Sequence, residues 1–594
     1  MSQSHRQTVS RISPVAGTVS RRRFLRLAGL GVAATSVLAA CAPAAPAAPT
    51  AKPAEPAKPA APAASPAAAA PAAAASPATA ASPAAGASPA ASPAASPAAQ
   101  AAPAAPAAQA AKPVAKVTPT GTLTYAQQLL PITQDPQIEF VNSSYTYLYS
   151  LYEPLTNVDA DGKLQPHMAV SWKMDTPTSW VFELRQGMKW HDGSPVTSKD
   201  VVWSINRILD PETKSPWRPI ISNVEGIEAV NEYAVRFKLK MTAVSMPSEV
   251  ARLFVLPKDA YEKMGKDAFF ANPIGSGPYK FVKQVKGEML TVEAYEDYYK
   301  GAPNIKTLVF KQVPDAATRA AEILAGTADV ADAISPTDIA RIKASSNAEM
   351  MIGPTVRRVL LNMAIDTTPE LADKRVRQAI AHAIDRDAIN QAVYDGLGGK
   401  QTGWFDRFTY GYNKALQPFA YDPAKSKALL AEAGFPNGMP LQYLVGKGRF
   451  LGDEEIALAV TDYLNKAGFV VDLKIQEFAV FQAARARREY KGIYMLSSGN
   501  SLGDPDQVLR SLDSKRESVY VKDPALDALI DKQRGEVDDT KRQAAIAEVD
   551  KYIHENAVDI NLFTVPGFYA VAKRVEGWRP SPFEIHTFYG ASVK

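Results

Sequence analysis

The stretch that most constrains the fold runs from Trp180 to Leu209. Residues 181–185 alternate between two faces, with apolar Phe and Leu side chains on one of them, as in a β-strand. An Asp-Gly pair at 192–193 is a turn signal. Thr197 and Asp200 then stand three residues apart, just before apolar residues at helical spacing, which is the pattern of a capping box. The stretch therefore predicts a strand, a tight turn and a buried helix.

The same alternation of strands and helices continues through residues 118–594. Segments with strand-like patterns are 121–127, 304–313, 469–475 and 559–564. Segments with helical spacing and capping signals are 316–325, 373–383, 422–434, 454–467 and 538–553. This order predicts α/β layers with largely parallel sheets. At 594 residues the chain is also too long for a single core, so more than one domain or lobe is expected.

Charge and cysteine content exclude several kinds of protein. The formal net charge is +5, but residues 1–41 hold six arginines and no acid, which leaves 60 basic against 61 acidic residues. A nearly neutral body argues against a nucleic-acid partner. Cys41 is the single cysteine, so neither an internal disulfide nor a thiolate metal site can form. The six histidines form no close pair, and we expect neither a metal nor a cofactor.

The amino-terminal sequence has the pattern of an export signal. Ser20–Arg26 (SRRRFLR) matches the twin-arginine pattern, and the apolar run 27–40 is too short to span a bilayer as a mature helix. The run ends in Leu-Ala-Ala before Cys41, which resembles a bacterial lipobox. We predict that residues 1–40 are a twin-arginine lipoprotein signal peptide and that Cys41 carries lipid. The alternative is a plain cleaved signal followed by a chance cysteine.

Residues 41–117 form an Ala-Pro-Ser linker after this cysteine. The segment from 42 to 117 holds 17 of the 46 prolines and almost no aromatic or branched apolar residue. Such a composition cannot bury a core and predicts an extended, disordered spacer. The linker would hold a folded domain away from the outer face of the cytoplasmic membrane.

Several blocks of the body resemble a known family in the same order. The blocks are Leu151–Met174, Trp180–Leu209, Asn272–Tyr279, Tyr298–Pro303, Lys374–Arg386 and Tyr421–Phe435. Together they resemble the family 5 extracellular solute-binding proteins, which are receptors of peptide and nickel ABC importers. We interpret the blocks themselves as scaffold for turns, caps and packing. An anion-binding nest at the glycine turn 275–277 is the minor alternative.

The resemblance implies a two-lobed, periplasmic-binding-protein-like α/β fold (type II Venus flytrap) with an extra subdomain in the first lobe. It places lobe I at 118–362 and 560–594, and lobe II at 363–559. It further implies a monomeric, non-enzymatic receptor that captures oligopeptides or dipeptides outside the membrane. The receptor would deliver them to an ABC permease of two membrane subunits with its ATPases, by hinged closure of the lobes.

Two loops are predicted to contact ligand. In the aromatic loop 403–412, Trp404 could stack on a ligand and Arg407 could pair with a carboxylate. The alternative is a loop packed on its own lobe. In the second loop, the resemblance points to Ser498, Asn500 and Asp504.

The second loop departs from the family pattern, in which an acid meets the amino terminus of a bound peptide. The family's tryptophan position holds Ser498, and its first acidic position holds Ser501. Asp504 is either an ammonium anchor or a helix or turn cap beside Pro505.

Three alternatives stay open at this point. The aromatic loop and the missing acid favour a receptor for oligosaccharides or glycosides. A nickel chelate is a further possible ligand, although neither loop contains a histidine. The alternative from a different class is an exported hydrolase, but no nucleophile elbow, HExxH motif or Walker A motif is present.

Overall fold

The computed structural model describes residues 117–139 and 142–594. The predicted signal peptide, the lipid site at Cys41 and the linker up to residue 116 lie outside this part of the chain. Within it, no helix is both long enough and apolar enough to cross a membrane.

The opening stretch folds as its pattern predicts. Ser179–Leu184 is a strand and Ser198–Leu209 is a helix. The Asp200 carboxylate accepts the Thr197 backbone N–H at 3.0 Å, which is one half of the predicted capping box. The apolar face of the helix is buried. The strand, turn and helix are thus confirmed.

This strand belongs to a four-stranded antiparallel sheet. The order of its strands is Ala169–Thr176, Ser179–Leu184, Ala234–Leu239 and Val224–Asn231. The helix Ser198–Leu209 packs against the edge strand of this sheet. These elements form a layer separate from the main sheet, as expected for an extra subdomain.

The main sheet of the first lobe has seven strands. Their order is Ala348–Gly353, Gly567–Ala572, Val330–Ala331, Thr120–Gln127, Ile305–Gln312, Met289–Ala294 and Tyr279–Val285. The central strand Thr120–Gln127 runs parallel to both of its neighbours. The other four pairings are antiparallel.

The second lobe is built on a five-stranded sheet. Its order is Phe469–Glu477, Met439–Lys447, Ile493–Gly499, Arg357–Met363 and Asp559–Thr564. The first three strands are parallel, and the last two pair antiparallel. Two small ribbons, Thr156–Val158 with Leu164–Pro166 and Val575–Glu576 with Ser592–Val593, complete the described strands.

The prediction of largely parallel sheets is wrong. Tyr279–Val285 and Met289–Ala294 are joined by three residues, a connection too short for anything but an antiparallel hairpin. The strands that carry the chain between the lobes also pair antiparallel. Local alternation of strand and helix cannot distinguish a crossover connection from a hairpin on the same sheet.

Helices pack against the strands of these sheets. In the described chain the α-helices are Tyr145–Leu151, Ser198–Leu209, Met246–Glu249, Lys258–Met264, Lys266–Ala271, Ala316–Ala325, Ile339–Lys343, Lys374–Ala383, Arg386–Tyr394, Pro423–Glu432, Asp453–Lys466, Phe478–Ala486, Asp506–Leu509, Pro524–Gly535 and Asp539–Glu555. The N-caps Asp315, Asp373, Asp422 and Asp538 each accept a backbone N–H of the first turn. These caps explain why the predicted helix starts agree with the structure to within about one residue.

The chain crosses between the lobes at two adjacent places. Arg357–Met363 and Asp559–Thr564 both pair within the five-stranded sheet, whereas Ala348–Gly353 and Gly567–Ala572 pair within the seven-stranded sheet. We therefore propose crossing points at 354–356 and 565–566. The predicted lobe boundaries, at 362 and 560, lie inside the two connecting strands.

The glycine turn at 275–277 is tied to the opening stretch through His191. The Gly275 N–H lies 3.1 Å from Nδ1 of this histidine, and Nε2 lies 3.0 Å from the Gly277 carbonyl oxygen. Burial lowers the pKa of His191 to about 4, so the ring is neutral at pH 7. His191 is thus a side chain bonded to the turn.

We expect the substitution Gly275→Ala to destabilise the first lobe strongly. A Cβ atom at this position would lie 1.8 Å from the Leu151 carbonyl oxygen, so the backbone would have to move. Overpacking of this kind costs about 3 kcal/mol. Urea unfolding of the variant measures the loss. Gly226→Ala is the matched control, because a Cβ there meets no atom within 4 Å. Equal unfolding midpoints for the two variants would contradict the expectation.

Candidate ligand-binding cleft

A cavity of about 600 Å³ opens between the two lobes. The first lobe contributes residues from segments 216–220, 245–252 and 583–584 to its wall. The second lobe contributes residues from 478–482, 497–507 and 510–516, and the junction contributes Val356 and Arg357. The volume falls within the range of about 300–1,000 Å³ that is typical of small-molecule sites. The cavity is therefore the candidate ligand site.

The aromatic loop 403–412 lies apart from this cavity. Trp404 is 2% exposed, and its ring lies 4.5 Å from the guanidinium carbon of Arg358. Its backbone N–H donates to Asp550 at 2.6 Å. The tryptophan borders only a separate void of about 20 Å³, enough for one water molecule. The structure thus places Trp404 in the core of the second lobe, and a ligand contact from it stays a prediction.

Arg407, in the same loop, is exposed to solvent and lies outside the cavity wall. Its guanidinium carbon is 4.8 Å from the centre of the Phe408 ring. Pairing of Arg407 with a ligand carboxylate likewise stays a prediction.

The second predicted loop does reach the cavity. Ser498 and Asp504 both line its wall. Asn500 is 1% exposed and lies behind the wall, where its side-chain amide donates to the Thr409 hydroxyl at 3.0 Å. Of the five predicted ligand contacts, the structure brings Ser498 and Asp504 together at the cavity.

Asp504 already has a partner within the protein. Its carboxylate lies 2.8 Å from the Arg542 guanidinium and accepts the Asp506 backbone N–H at 3.0 Å. The contact with the Asp506 N–H is of the kind that a turn or helix cap makes, and Arg542 neutralises the carboxylate. Ser501, at the family's acidic position, shares a hydrogen bond of 2.9 Å with Gln507.

The wall also contains charged residues that no motif or spacing in the sequence indicates. Arg357 forms a two-pronged pair with Glu584, with nitrogen–oxygen distances of 2.6 and 3.1 Å. Arg449 lies with its guanidinium carbon 5.4 Å from the Phe478 ring centre. Arg357 and Glu584 are 227 positions apart in the chain, so no local spacing signals their contact.

One charged pair bridges the two lobes. Arg510 of the second lobe lies 2.6 Å from the Glu249 carboxylate of the first lobe and donates to the Ile220 carbonyl oxygen at 3.0 Å. Both side chains are nearly buried. The Ser245 hydroxyl donates to Glu249 from the same side, at 3.0 Å. The pair therefore forms part of the cavity wall.

The surroundings of the Glu249 carboxyl disfavour its charged form. Burial above all raises its pKa to about 7; the nearby Asp506 and Asp504 act in the same direction, while Arg510 opposes the shift. Since removal from water is the largest effect, the ion pair offsets only part of the cost of burying this charge.

Replacing Glu249 by Gln should change how stability depends on pH. In the folded protein the carboxyl keeps its proton up to about pH 7, whereas the ordinary value is 4.5. Its contribution to stability is complete below about pH 4.5 and is lost as the pH rises through 7. From pH 5 to 8 the wild-type free energy of unfolding should fall by up to about 3 kcal/mol relative to Glu249→Gln.

Urea unfolding at pH 5, 6, 7 and 8 measures this difference. The exposed Glu262→Gln is the control, since it removes the same charge at the surface. Parallel pH profiles for wild type and Glu249→Gln would contradict the expectation.

Among the described residues, no group of three or more His, Cys, Asp or Glu side chains is arranged to hold a metal ion. The cleft instead offers arginine and carboxylate groups, serine hydroxyls and side-chain amides around a preformed cavity. Such an arrangement can bind a polar small solute through hydrogen bonds and ion pairs.

Comparison with known proteins places the chain in a family. A sequence profile of the bacterial extracellular solute-binding proteins, family 5 (middle region), matches residues 163–519. The dipeptide-binding protein of Escherichia coli is 27% identical over 525 residues, which covers 81% of this chain and 96% of that protein. Heme-binding protein A of Haemophilus influenzae is 26% identical over 518 residues, which covers 81% and 93% of the two chains.

A solved structure shows the same architecture. The ABC transporter substrate-binding protein CtaP of Listeria monocytogenes superposes with a TM-score of 0.72 at 26% identity, over 80% of this chain and 100% of that chain. This likeness confirms the two-lobed, periplasmic-binding-protein-like α/β fold. Since the family profile spans more than half of the sequence, the chain belongs to the family 5 bacterial extracellular solute-binding proteins.

Proposed function

We propose that this protein captures short peptides outside the cytoplasmic membrane and delivers them to an ABC permease with its ATPases. The observation that carries the proposal is the cavity of about 600 Å³ enclosed by both lobes of a family 5 binding protein. Arg510, which reaches from one lobe to Glu249 of the other, gives the closed form a contact that an open form would lack. A cavity of this size suits a dipeptide or tripeptide better than a long chain.

The protein acts in this proposal as a monomeric receptor and not as an enzyme. Family 5 members serve transport, and the E. coli relative is named for dipeptide binding. The carboxylates at the cavity wall are paired with arginines, which suits recognition of a ligand and not proton transfer to it.

Attachment to the outer face of the membrane through Cys41 is the second part of the proposal. It is motivated by the twin-arginine pattern, the lipobox-like run before Cys41 and the proline-rich spacer after it. A spacer of this kind would let a tethered receptor reach its permease.

Thermal unfolding with a ligand panel tests the peptide receptor. A ligand that binds the folded state raises its stability by mass action, about 2.7 kcal/mol at one hundred times Kd. We expect dipeptides or tripeptides to raise the melting temperature. Oligosaccharides and nickel chelates form the other arms of the panel. No shift with any peptide, together with a shift from an oligosaccharide, would replace the peptide version with the glycoside alternative.

Replacing Cys41 by Ala should release the protein from membranes. Lipid attachment needs the cysteine thiol, and a protein without a lipid anchor has no described helix able to hold it in a bilayer. Fractionation of cells, with mass spectrometry of the mature amino terminus, measures the outcome. Ala40→Gly is the control, because it keeps a small residue before the cysteine. A wild-type protein found wholly in the soluble fraction would contradict lipid anchoring.

A further inference from the structure

The carboxylates at the cavity wall are all occupied by arginines of the protein itself. The four acids of the wall are Glu249, Asp504, Asp506 and Glu584. Their nearest guanidinium nitrogens, on Arg510, Arg542, Arg534 and Arg357 respectively, lie at 2.6, 2.8, 2.5 and 2.6 Å. A ligand ammonium would have to share or displace an arginine at each of these acids. The wall therefore offers no unpaired negative charge.

The arginines of the wall outnumber these acids, and two of them are unmatched. Arg449 and Arg516 both line the cavity, and neither has a carboxylate oxygen of any described residue within 4.0 Å. Arg449 stands beside the Arg357–Glu584 pair, whereas Arg516 stands beside Arg510. Since an arginine keeps its charge at any physiological pH, the open charges of the wall are positive.

Neutral polar groups of the wall are also open. The Ser497 hydroxyl and the Gln482 side-chain oxygen are buried and have no hydrogen-bond partner among the described residues. Buried polar groups of this kind cost free energy unless they are paired. Amide or hydroxyl groups of a ligand would satisfy them.

We propose that the cleft selects an anionic solute without a free ammonium group, and that Arg516 pairs with the acidic group of this ligand. The inference rests on the proposed function, because it assumes that this cavity takes the transported solute. An acidic peptide with a blocked amino terminus fits the description. So does a small non-peptide dicarboxylate.

The local field supports this assignment. Burial lowers the pKa of the Arg516 guanidinium; Arg510 and Arg534 act in the same direction, and Asp513 and Asp506 oppose the shift. Burial and Arg357 lower the pKa of Arg449, and Glu584 opposes that shift. A bound anion would relieve the repulsion at both places. The sequence change at Ser501, where the family pattern has an acid, removes the negative charge that would otherwise have attracted an amine.

Isothermal titration with matched probes tests the proposal. The probes are N-acetyl-Ala-Glu, the neutral N-acetyl-Ala-Gln amide, Ala-Ala with a free amine, and glutarate. We expect N-acetyl-Ala-Glu to bind at least about tenfold more tightly than its neutral amide or Ala-Ala, as expected for a charge-assisted hydrogen bond. Arg516→Gln should remove this preference, so that the acidic probe and its neutral amide bind with about equal affinity.

Two further variants separate the anchor from structural damage. Arg516→Lys keeps the charge and should keep the preference for the acidic probe in part. Arg341→Gln removes an exposed arginine of the first lobe outside the cavity and should change nothing. Thermal unfolding of each variant without ligand confirms that it is folded.

The outcomes separate this inference from the receptor function. Tight binding of Ala-Ala that Arg516→Gln does not alter would overturn the inference and leave the peptide receptor standing. If glutarate is the only probe that binds, and Arg516→Gln abolishes its binding, the result would support the anionic site and reject a peptide as the ligand. Failure of both acidic probes would overturn the inference, whatever neutral ligand is found.

Discussion

The structure depends on one pair of antiparallel strands, Arg357–Met363 and Asp559–Thr564, which carry the chain between the lobes. Where they leave the five-stranded sheet, the Thr355 hydroxyl donates to the Val565 carbonyl oxygen at 2.5 Å, and the Val565 N–H donates to the Arg357 carbonyl oxygen at 2.8 Å. The two crossings are therefore bonded to each other. Both connections between the two sheets are thus short and lie side by side.

Successive residues of the first connecting strand serve opposite sides, because side chains alternate along a strand. Arg357 points to the cleft and pairs with Glu584. Arg358 is fully buried in the second lobe, where it donates to the Trp404 carbonyl oxygen and lies over the Trp404 ring. Removing a charge from water is costly, so a buried guanidinium needs such partners. Trp404 therefore packs in the core of the second lobe, beside the first connecting strand.

Ion pairs determine which charges of the cleft are open to a ligand. Each of its four acids pairs with an arginine, and one such pair, Glu249 with Arg510, joins the lobes. The sequence identified Asp504 as either an anchor or a cap, and in the structure its carboxylate pairs with Arg542. Spacing could not reveal this, because the two residues meet only when the helix Asp539–Glu555 packs beside the loop that carries Asp504.

The sequence by itself determined the local elements and the family. Short-range patterns carried this information: the capping box at Thr197, the aspartate N-caps and the ordered blocks. They predict the structure correctly because backbone hydrogen bonding and burial within one element depend on only a few neighbouring residues. Tertiary structure alone decided strand direction, the crossing points of the lobes and the wall of the cleft. Arg357 with Glu584, and Glu249 with Arg510, lie more than 200 residues apart in the chain. Such contacts follow from packing of whole lobes, which no local pattern encodes.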